Sequence, residues 1–270
     1  MVNPALGETG FTTAHDGVLL VHVDPQESEI TGTQKAWLKN YMDNFEAALY
    51  GSNFTDPVNG YAKYVDVDSF IDFYIMVELA KNVDGFIYST YMYKDRGGKL
   101  TMGPFWDYNL SLGNANYRGG LDPQGWFHNH LPSDHSWDYQ WWRRMFEDPE
   151  FTLRMWDRWF LFRSQPFATS RLLQEIDSAA DFLNEAQQRN FARWPVLGTY
   201  VWPNPDGYAT RNTYQKEVDW MKNWLQTRLN WIDAQSPYNT PPTFVPNGNH
   251  VSAGQPVPMA SGGVLNGSLK

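Results

Sequence analysis

Most apolar residues of this chain recur at helical spacing, so the pattern predicts a largely helical protein. The first apolar stripe spans positions 34–50 and ends at Gly51, a residue type that often follows a helix. Further stripes predict helices at 70–81, 141–146, 148–162, 169–193 and 216–234. Among the residues on these stripes, we expect the following to face the core: Leu38, Phe73, Leu183 and Leu225.

A strand pattern interrupts the helices near the middle of the chain. Apolar and aromatic side chains alternate with period two over 87–93, which is typical of a β-strand. A turn that contains two glycines follows at 94–98, and 99–102 is the predicted return strand. The pattern therefore predicts a β-hairpin over 87–102.

Two aspartates flank this hairpin. Asp84 follows the preceding helix, and Asp107 lies in a Gly-Pro-Phe-Trp-Asp corner after the return strand. The two ends of a hairpin are neighbours in space, so both carboxylates are expected in one site. Phosphoryl transfer uses such a pair, because one carboxylate orients the attacking hydroxyl while the other holds a metal ion. The structural alternative is a helix-exit cap and a turn, which are frequent roles of aspartate.

Other polar residues near this region have simpler interpretations. Glu78 and Lys81 are expected on a solvated face of the helix at 70–81. His128 and His130 lie in a polar, glycine-rich stretch, where they are expected as ordinary loop residues rather than as a metal-binding pair.

Composition and charge narrow the classes of function. The chain of 270 residues contains 13 Trp, 15 Tyr and 16 Phe, so aromatic side chains are expected in the core and along binding grooves. The formal net charge of −9 and the lack of a Lys/Arg cluster argue against nucleic acid as a partner. There is no apolar run of about 18 residues to predict a membrane span, and without cysteine the chain forms no disulfide.

Several blocks of the sequence, in the same order along the chain, resemble the CotH family. Two of these blocks read Glu78-Leu-Ala-Lys-Asn-Val-Asp84 and Gly103-Pro-Phe-Trp-Asp-Tyr-Asn109. The family comprises bacterial spore-coat proteins and secreted relatives that are classed as atypical kinases. The resemblance covers roughly residues 10–240 and implies an α+β fold, predominantly α, similar to the C-terminal lobe of protein kinases with a small β-hairpin.

The resemblance also implies roles for individual residues. Asp84 matches the catalytic aspartate of the family, and Asp107 matches its metal-binding aspartate. Ser89, Asn109 and Asn114 are the expected cofactor-binding residues. Ser89 stands nearest to the place of a second metal-binding Asn in kinases, and Asn109 replaces an Asp of some relatives. The implied cofactors are ATP and Mg²⁺ or Mn²⁺.

Two classes of function stay open at this point. The first is a kinase that transfers phosphate from ATP to Ser or Thr of extracytoplasmic, spore-coat or cell-surface proteins. The second is a non-catalytic coat or cell-surface assembly module on the same scaffold, with an aromatic groove for glycan, cell wall or protein. Asp84 and Asp107 favour the kinase, whereas Ser89 and Asn109 favour the module because they remove negative charge from the metal site. Relatives are commonly exported, so an extracytoplasmic location is expected.

The resemblance predicts three segments. Residues 1–30 are expected to be a remnant of an N-terminal lobe whose remainder has no counterpart in the chain. Residues 31–238 are expected to form the helical kinase-like lobe. Residues 239–270, rich in Pro and Gly, are expected to be a linker and the opening of a truncated β-sandwich module. Because the family places its phosphate-clamping residue in the N-terminal lobe, this chain alone is expected to bind ATP weakly.

Overall fold

The computed structural model describes residues 10–131 and 139–237, together with the backbone at 243–244 and 259–260. Its helices and strands are, in chain order, β1 (Gly10–Thr12), β2 (Leu19–Val21), α1 (Gly32–Tyr50), α2 (Val67–Ala80), β3 (Met92–Lys94), β4 (Leu100–Met102), α3 (Tyr139–Met145), α4 (Pro149–Ser164), α5 (Thr169–Phe182), α6 (Asn184–Arg193), α7 (Tyr214–Ala234), β5 (Thr243–Phe244) and β6 (Met259–Ala260). The strands form antiparallel pairs, β1 with β2, β3 with β4 and β5 with β6. This confirms the predicted α+β class with a predominance of helix.

Helix α2 is the central element of the fold. Asp66 caps its start, since its carboxylate accepts a hydrogen bond from the backbone N–H of Ser69 at 3.3 Å. A helix that is apolar nearly all round belongs inside a protein, and the buried residues of α2 are Val67, Phe70, Ile71, Phe73, Tyr74, Ile75, Val77, Glu78, Leu79 and Ala80. Helices α4 and α7 and strand β4 pack against it.

Aromatic side chains fill the space around α2. Trp141 and Trp142 of α3 are fully buried. The Trp142 ring lies 5.1 Å from Phe70 and 5.0 Å from Phe86, between ring centroids, and its indole N–H donates to the Phe70 carbonyl at 2.8 Å. Each buried indole therefore satisfies its donor while its ring adds apolar contact. The expectation that many aromatic residues lie in the core is confirmed.

The segment that contains β1 and β2 is hydrogen-bonded to α1. Their register pairs Phe11 with Leu20. The buried carboxylate of Glu46 in α1 accepts from the backbone N–H of His15 at 2.8 Å and from the indole N–H of Trp141 at 2.9 Å. One side chain thus joins the N-terminal segment to the helical core.

The predicted segments differ in how much of each the structure describes. Residues 1–9 and most of the predicted β-sandwich segment at 239–270 lie outside the described residues, apart from the backbone of β5 and β6. The division at residues 30 and 238 stays a prediction. Within the described ranges, no helix combines the length and the apolar character that crossing a membrane requires.

The predicted hairpin is correct in its second half and wrong in its first. Strands β3 and β4 pair with Tyr93 opposite Thr101, and Gly97 takes a φ of +74° in the turn between them. The chain before β3, however, winds into turns, because the N–H groups of Ile87 and Tyr88 donate to the Asp84 carbonyl at 3.1 and 2.9 Å. The period-two pattern there does not correspond to an extended strand.

The predicted helix at 169–193 is interrupted. It forms α5 and α6 with Leu183 between them, and neither helix contains a buried residue. Leu183 is 47 % exposed, so its assignment to the core was wrong. The apolar residues of this segment line an open cleft instead of packing fully into the core. Phe73 and Leu225 are buried as predicted, while Leu38 is only half-buried.

Replacement of Phe73 by Ala is expected to lower the free energy of unfolding by about 3–5 kcal/mol, because it opens a cavity among the aromatic side chains that surround α2. The matched control Leu183→Ala is expected to change it by no more than about 0.5 kcal/mol, as at other exposed positions. Urea denaturation of both variants measures the difference. Similar losses for the two variants would contradict this description of the core.

Candidate active site

Asp84 lies in the loop that follows the C-terminal end of α2. Lys81 leaves the helix in the left-handed region with a φ of +46°. The next residue, Asn82, is buried, and its two amide atoms have different partners. Its side-chain oxygen accepts from the backbone N–H of Asp84 at 3.2 Å, and its nitrogen donates to the backbone carbonyl of Asp107 at 3.3 Å. One buried amide therefore fixes the backbone of both predicted aspartates.

Backbone hydrogen bonds reinforce this junction. The N–H of Leu112 donates to the Ala80 carbonyl at 2.8 Å, and the N–H of Val83 donates to the Leu110 carbonyl at 3.3 Å. Asp107 itself has a φ of +60°, a left-handed conformation that aspartate tolerates better than most residues. The corner after β4 is thereby held against the loop after α2.

The two carboxylates differ in environment. The Asp84 side chain is 22 % exposed, whereas Asp107 is exposed. Burial raises the pKa of Asp84, the Arg118 guanidinium opposes this shift, and the negative charge of Asp107 adds to it. The Asn82 amide, which is hydrogen-bonded to the backbone of both residues, places the two aspartates in one region. Their roles in catalysis and metal binding stay predictions.

Arg118 is a site residue that the sequence analysis did not single out. Its Nη1 lies 3.7 Å from Asp84 Oδ1 and donates to the Val83 carbonyl at 3.2 Å. Its guanidinium carbon lies 5.9 and 5.8 Å from the ring centroids of Tyr88 and Tyr117. The residue stands in a stretch without periodic pattern, where sequence gives no signal for the position of a side chain in space.

Glu78 lies in the core, which corrects its assignment to a solvated face. Its carboxylate accepts from the backbone N–H groups of Phe127 and His128 at 2.7 and 3.0 Å. It also contacts His128 Nδ1 at 2.8 Å and Arg228 Nη2 at 3.1 Å. Burial alone would raise the pKa of Glu78, but His128 and Arg228 together lower it below its usual value.

Lys81 is also buried rather than solvated. Its ammonium group donates to the carbonyls of Gly119 at 3.2 Å and Asp122 at 2.8 Å, and to that of Gln124. These bonds hold the loop that carries Arg118 against the end of α2. The prediction of a solvated face was wrong because the loop that covers this face is distant in sequence and has no helical pattern.

The three predicted cofactor-binding residues lie in two places. Ser89 is buried, and its backbone N–H donates to the Asp84 carbonyl at 3.3 Å. Asn109 and Asn114 are exposed and joined by a hydrogen bond of 3.0 Å from Asn114 Nδ2 to the Asn109 carbonyl. Both asparagines line a cleft of about 1040 Å³ on the α5–α7 side of the corner. Their roles in cofactor binding stay predictions.

The donor set fits a metal ion that is shared with a nucleotide. Among the described residues, no three His, Asp or Glu side chains form a group that could hold a metal by themselves. Mg²⁺ is commonly bound by only one or two carboxylates, with phosphate oxygens and water completing its shell. The exposed carboxylate of Asp107, whose backbone is linked through Asn82 to that of Asp84, meets that requirement.

Comparison with known proteins identifies the family of the chain. The family model described as CotH kinase protein matches residues 21–232, which includes both aspartates and Arg118. No curated protein and no solved structure matches the chain. Because the family model covers most of its length, the chain belongs to the CotH kinase family.

Lys81 gives a testable pH dependence. Burial, with Arg228 adding to it, lowers the pKa of Lys81 to about 8. Between that value and its ordinary pKa the unfolded chain binds more protons than the folded one, so stability increases with pH. The difference in unfolding free energy, wild type minus Lys81→Met, is expected to rise by up to about 1.4 kcal/mol per pH unit over this window.

Denaturant unfolding of both proteins at a series of pH values measures this slope. Subtracting the variant removes the contribution of every other group that titrates in the same range. A difference that stays flat, or falls as the pH increases, would contradict the lowered pKa of Lys81.

Proposed function

We propose that this member of the CotH kinase family transfers the γ-phosphoryl group of ATP to Ser or Thr hydroxyls of proteins. One observation carries the proposal: the buried amide of Asn82 is hydrogen-bonded to the backbone of both Asp84 and Asp107. A partly buried carboxylate and an exposed one therefore share a single site, as phosphoryl transfer requires.

Asp84 is suited to orient the attacking hydroxyl and to receive its proton. Partial burial, which raises its pKa, makes it a better proton acceptor than a fully solvated aspartate. Its backbone is fixed by Asn82 and by the turn that follows, so the carboxylate is positioned before substrate arrives. The hydroxyl oxygen bonds to the γ-phosphorus, the bond from that phosphorus to the β–γ bridging oxygen breaks, and the hydroxyl proton passes to Asp84.

Asp107 is suited to hold the metal ion. Its side chain is exposed and its backbone carbonyl is held by Asn82 at 3.3 Å, which leaves the carboxylate available. When bound there, Mg²⁺ or Mn²⁺ would neutralise charge on the β- and γ-phosphate oxygens.

Arg118 supplies positive charge beside the proton acceptor. Among the described residues, its guanidinium has hydrogen-bond or ion-pair partners only in the Val83 carbonyl and the Asp84 carboxylate. An arginine side chain carries five N–H donors in a fixed fork, so donors remain for a phosphoryl oxygen. Arg118 would thus keep Asp84 ionised and stabilise charge on the transferred group.

The acceptor proteins are proposed to lie outside the cytoplasm, on the spore coat or cell surface. This part of the proposal rests on the family resemblance alone. The second candidate function is a non-catalytic assembly module. It is favoured by the neutral Ser89 near Asp84 and by the position of Asn109 on the cleft side of the corner.

The variants Asp107→Ala and Asp84→Asn separate the two roles. Asp107→Ala is expected to abolish metal-dependent nucleotide binding, because the carboxylate that holds the cation is gone. Asp84→Asn is expected to bind nucleotide nearly as the wild type does and to lose phosphate transfer. Calorimetry with ATP and Mg²⁺ or Mn²⁺, with a transfer assay, is to be carried out on the product of the complete gene. Absence of both binding and transfer in the wild type would favour the assembly module.

Arg118→Gln is expected to lower kcat by about 10²–10³-fold, the usual effect of removing one donor that acts on developing charge. Arg118→Lys is expected to recover part of that loss, because it restores the charge without the fork. The control Arg143→Gln changes an exposed arginine of α3 and is expected to keep full activity. Equal activity of Arg118→Gln and wild type would remove Arg118 from the mechanism.

A further inference from the structure

We infer that the cleft between α2, the 105–114 corner, α5 and α7 binds an apolar segment of the acceptor polypeptide. We call it the acceptor cleft. The inference rests on the proposed kinase function and names the kind of protein that the kinase modifies. The cleft has a volume of about 1040 Å³, and most of its lining is apolar, for example Met76, Leu79, Ile176, Leu183, Val218 and Met221.

Part of the apolar face of α5 is exposed to the cleft. Polar contacts fix α5 to α7: the Tyr214 hydroxyl donates to the Ala180 carbonyl at 3.2 Å, and the Lys222 ammonium contacts the Asp177 carboxylate at 2.5 and 2.7 Å. Leu172 and Ile176 of the apolar stripe are partly buried against the core, but no residue of α5 is fully buried, and Leu183 at its end is 47 % exposed. An amphipathic helix that is held in place with part of its apolar face exposed presents a surface for another chain.

The acceptor cleft borders the corner that carries Asp107. Tyr108 and Asn109, which line it, directly follow Asp107 in the chain. Neither aspartate lines the cleft, but the backbone hydrogen bonds of Leu112 and Val83 hold this corner against the loop that carries Asp84. A polypeptide lying in the cleft therefore contacts the corner that carries Asp107.

The charge of the lining disfavours anionic ligands. Arg211, the cation of the lining, is already bound to Glu217 at 3.0 Å and to the carbonyls of Pro205 and Asp206 at 3.2 and 3.1 Å. Glu175 also lines the cleft and has no ion-pair partner among the described residues. The surplus negative charge disfavours fatty acids and other anionic amphiphiles, and favours an apolar segment with a basic neighbour.

Size favours a polypeptide over a small ligand. The cleft lies at the upper limit of small-molecule pockets, which span roughly 300–1,000 Å³. Close in sequence to lining residues, Phe182 is 88 %, Trp194 57 % and Trp202 66 % exposed.

The test uses a fluorescein-labelled peptide in which leucines flank one serine and a lysine stands at each end. Its binding is measured by fluorescence anisotropy without ATP, so the result does not depend on catalysis. Ala179→Trp, which places a large side chain in the cleft, is expected to weaken binding at least tenfold. Ser178→Trp, an exposed neighbour outside the lining, is expected to leave binding unchanged.

The outcomes separate this inference from the proposed function. Binding that Ala179→Trp weakens, without phosphate transfer by the wild-type product of the complete gene, supports a polypeptide-binding cleft and contradicts the kinase proposal. Equal binding to wild type and Ala179→Trp, equal binding of a peptide with alanines for leucines, or absence of binding would overturn the inference. Dimerisation of the wild type that Ala179→Trp abolishes would overturn it too, because a second copy would then fill the cleft.

Discussion

A buried ion pair between Glu78 and Arg228 is the constraint on which the site depends. The two side chains lie 3.1 Å apart, and their exposures are 1 % and 0 %. Arg228 also donates to the Glu78 carbonyl at 2.7 and 3.0 Å and to the carbonyls of Pro123 and Gly125. The pair thereby joins α2, α7 and the loop that covers them at one point. Removal of one partner of such a pair commonly costs about 3–5 kcal/mol, because the other charge stays buried.

Lys81 and Asn82, which connect the functional residues, follow Glu78 within about one helical turn. Lys81 holds the loop that carries Arg118, and Asn82 joins the backbones of Asp84 and Asp107. Little of this arrangement consists of regular strand or helix. It is built from buried polar side chains that are bonded to backbone groups, and such networks fix geometry closely when all their members are satisfied.

The apolar periodicity of α1, α2 and α7 was sufficient to predict those helices, because each buries a face that repeats along its own sequence. That the backbones of Asp84 and Asp107 lie close together was predictable, because a short hairpin separates the two residues. Burial of Glu78 was not predictable, since its partner Arg228 is distant in sequence. The apolar pattern at 169–193 was real, but periodicity does not distinguish a face that packs in the core from one that borders a cleft.

In the proposed function, Asp84 and Asp107 lie on either side of one metal–nucleotide site. Iron-directed backbone cleavage tests it most directly. Fe²⁺ replaces Mg²⁺ in the presence of ATP, peroxide and ascorbate generate radicals at the metal, and mass spectrometry locates the cuts. The account predicts cuts near both aspartates, and their joint disappearance in Asp107→Ala. Cuts near only one aspartate, or cuts that persist in that variant, would contradict a shared site.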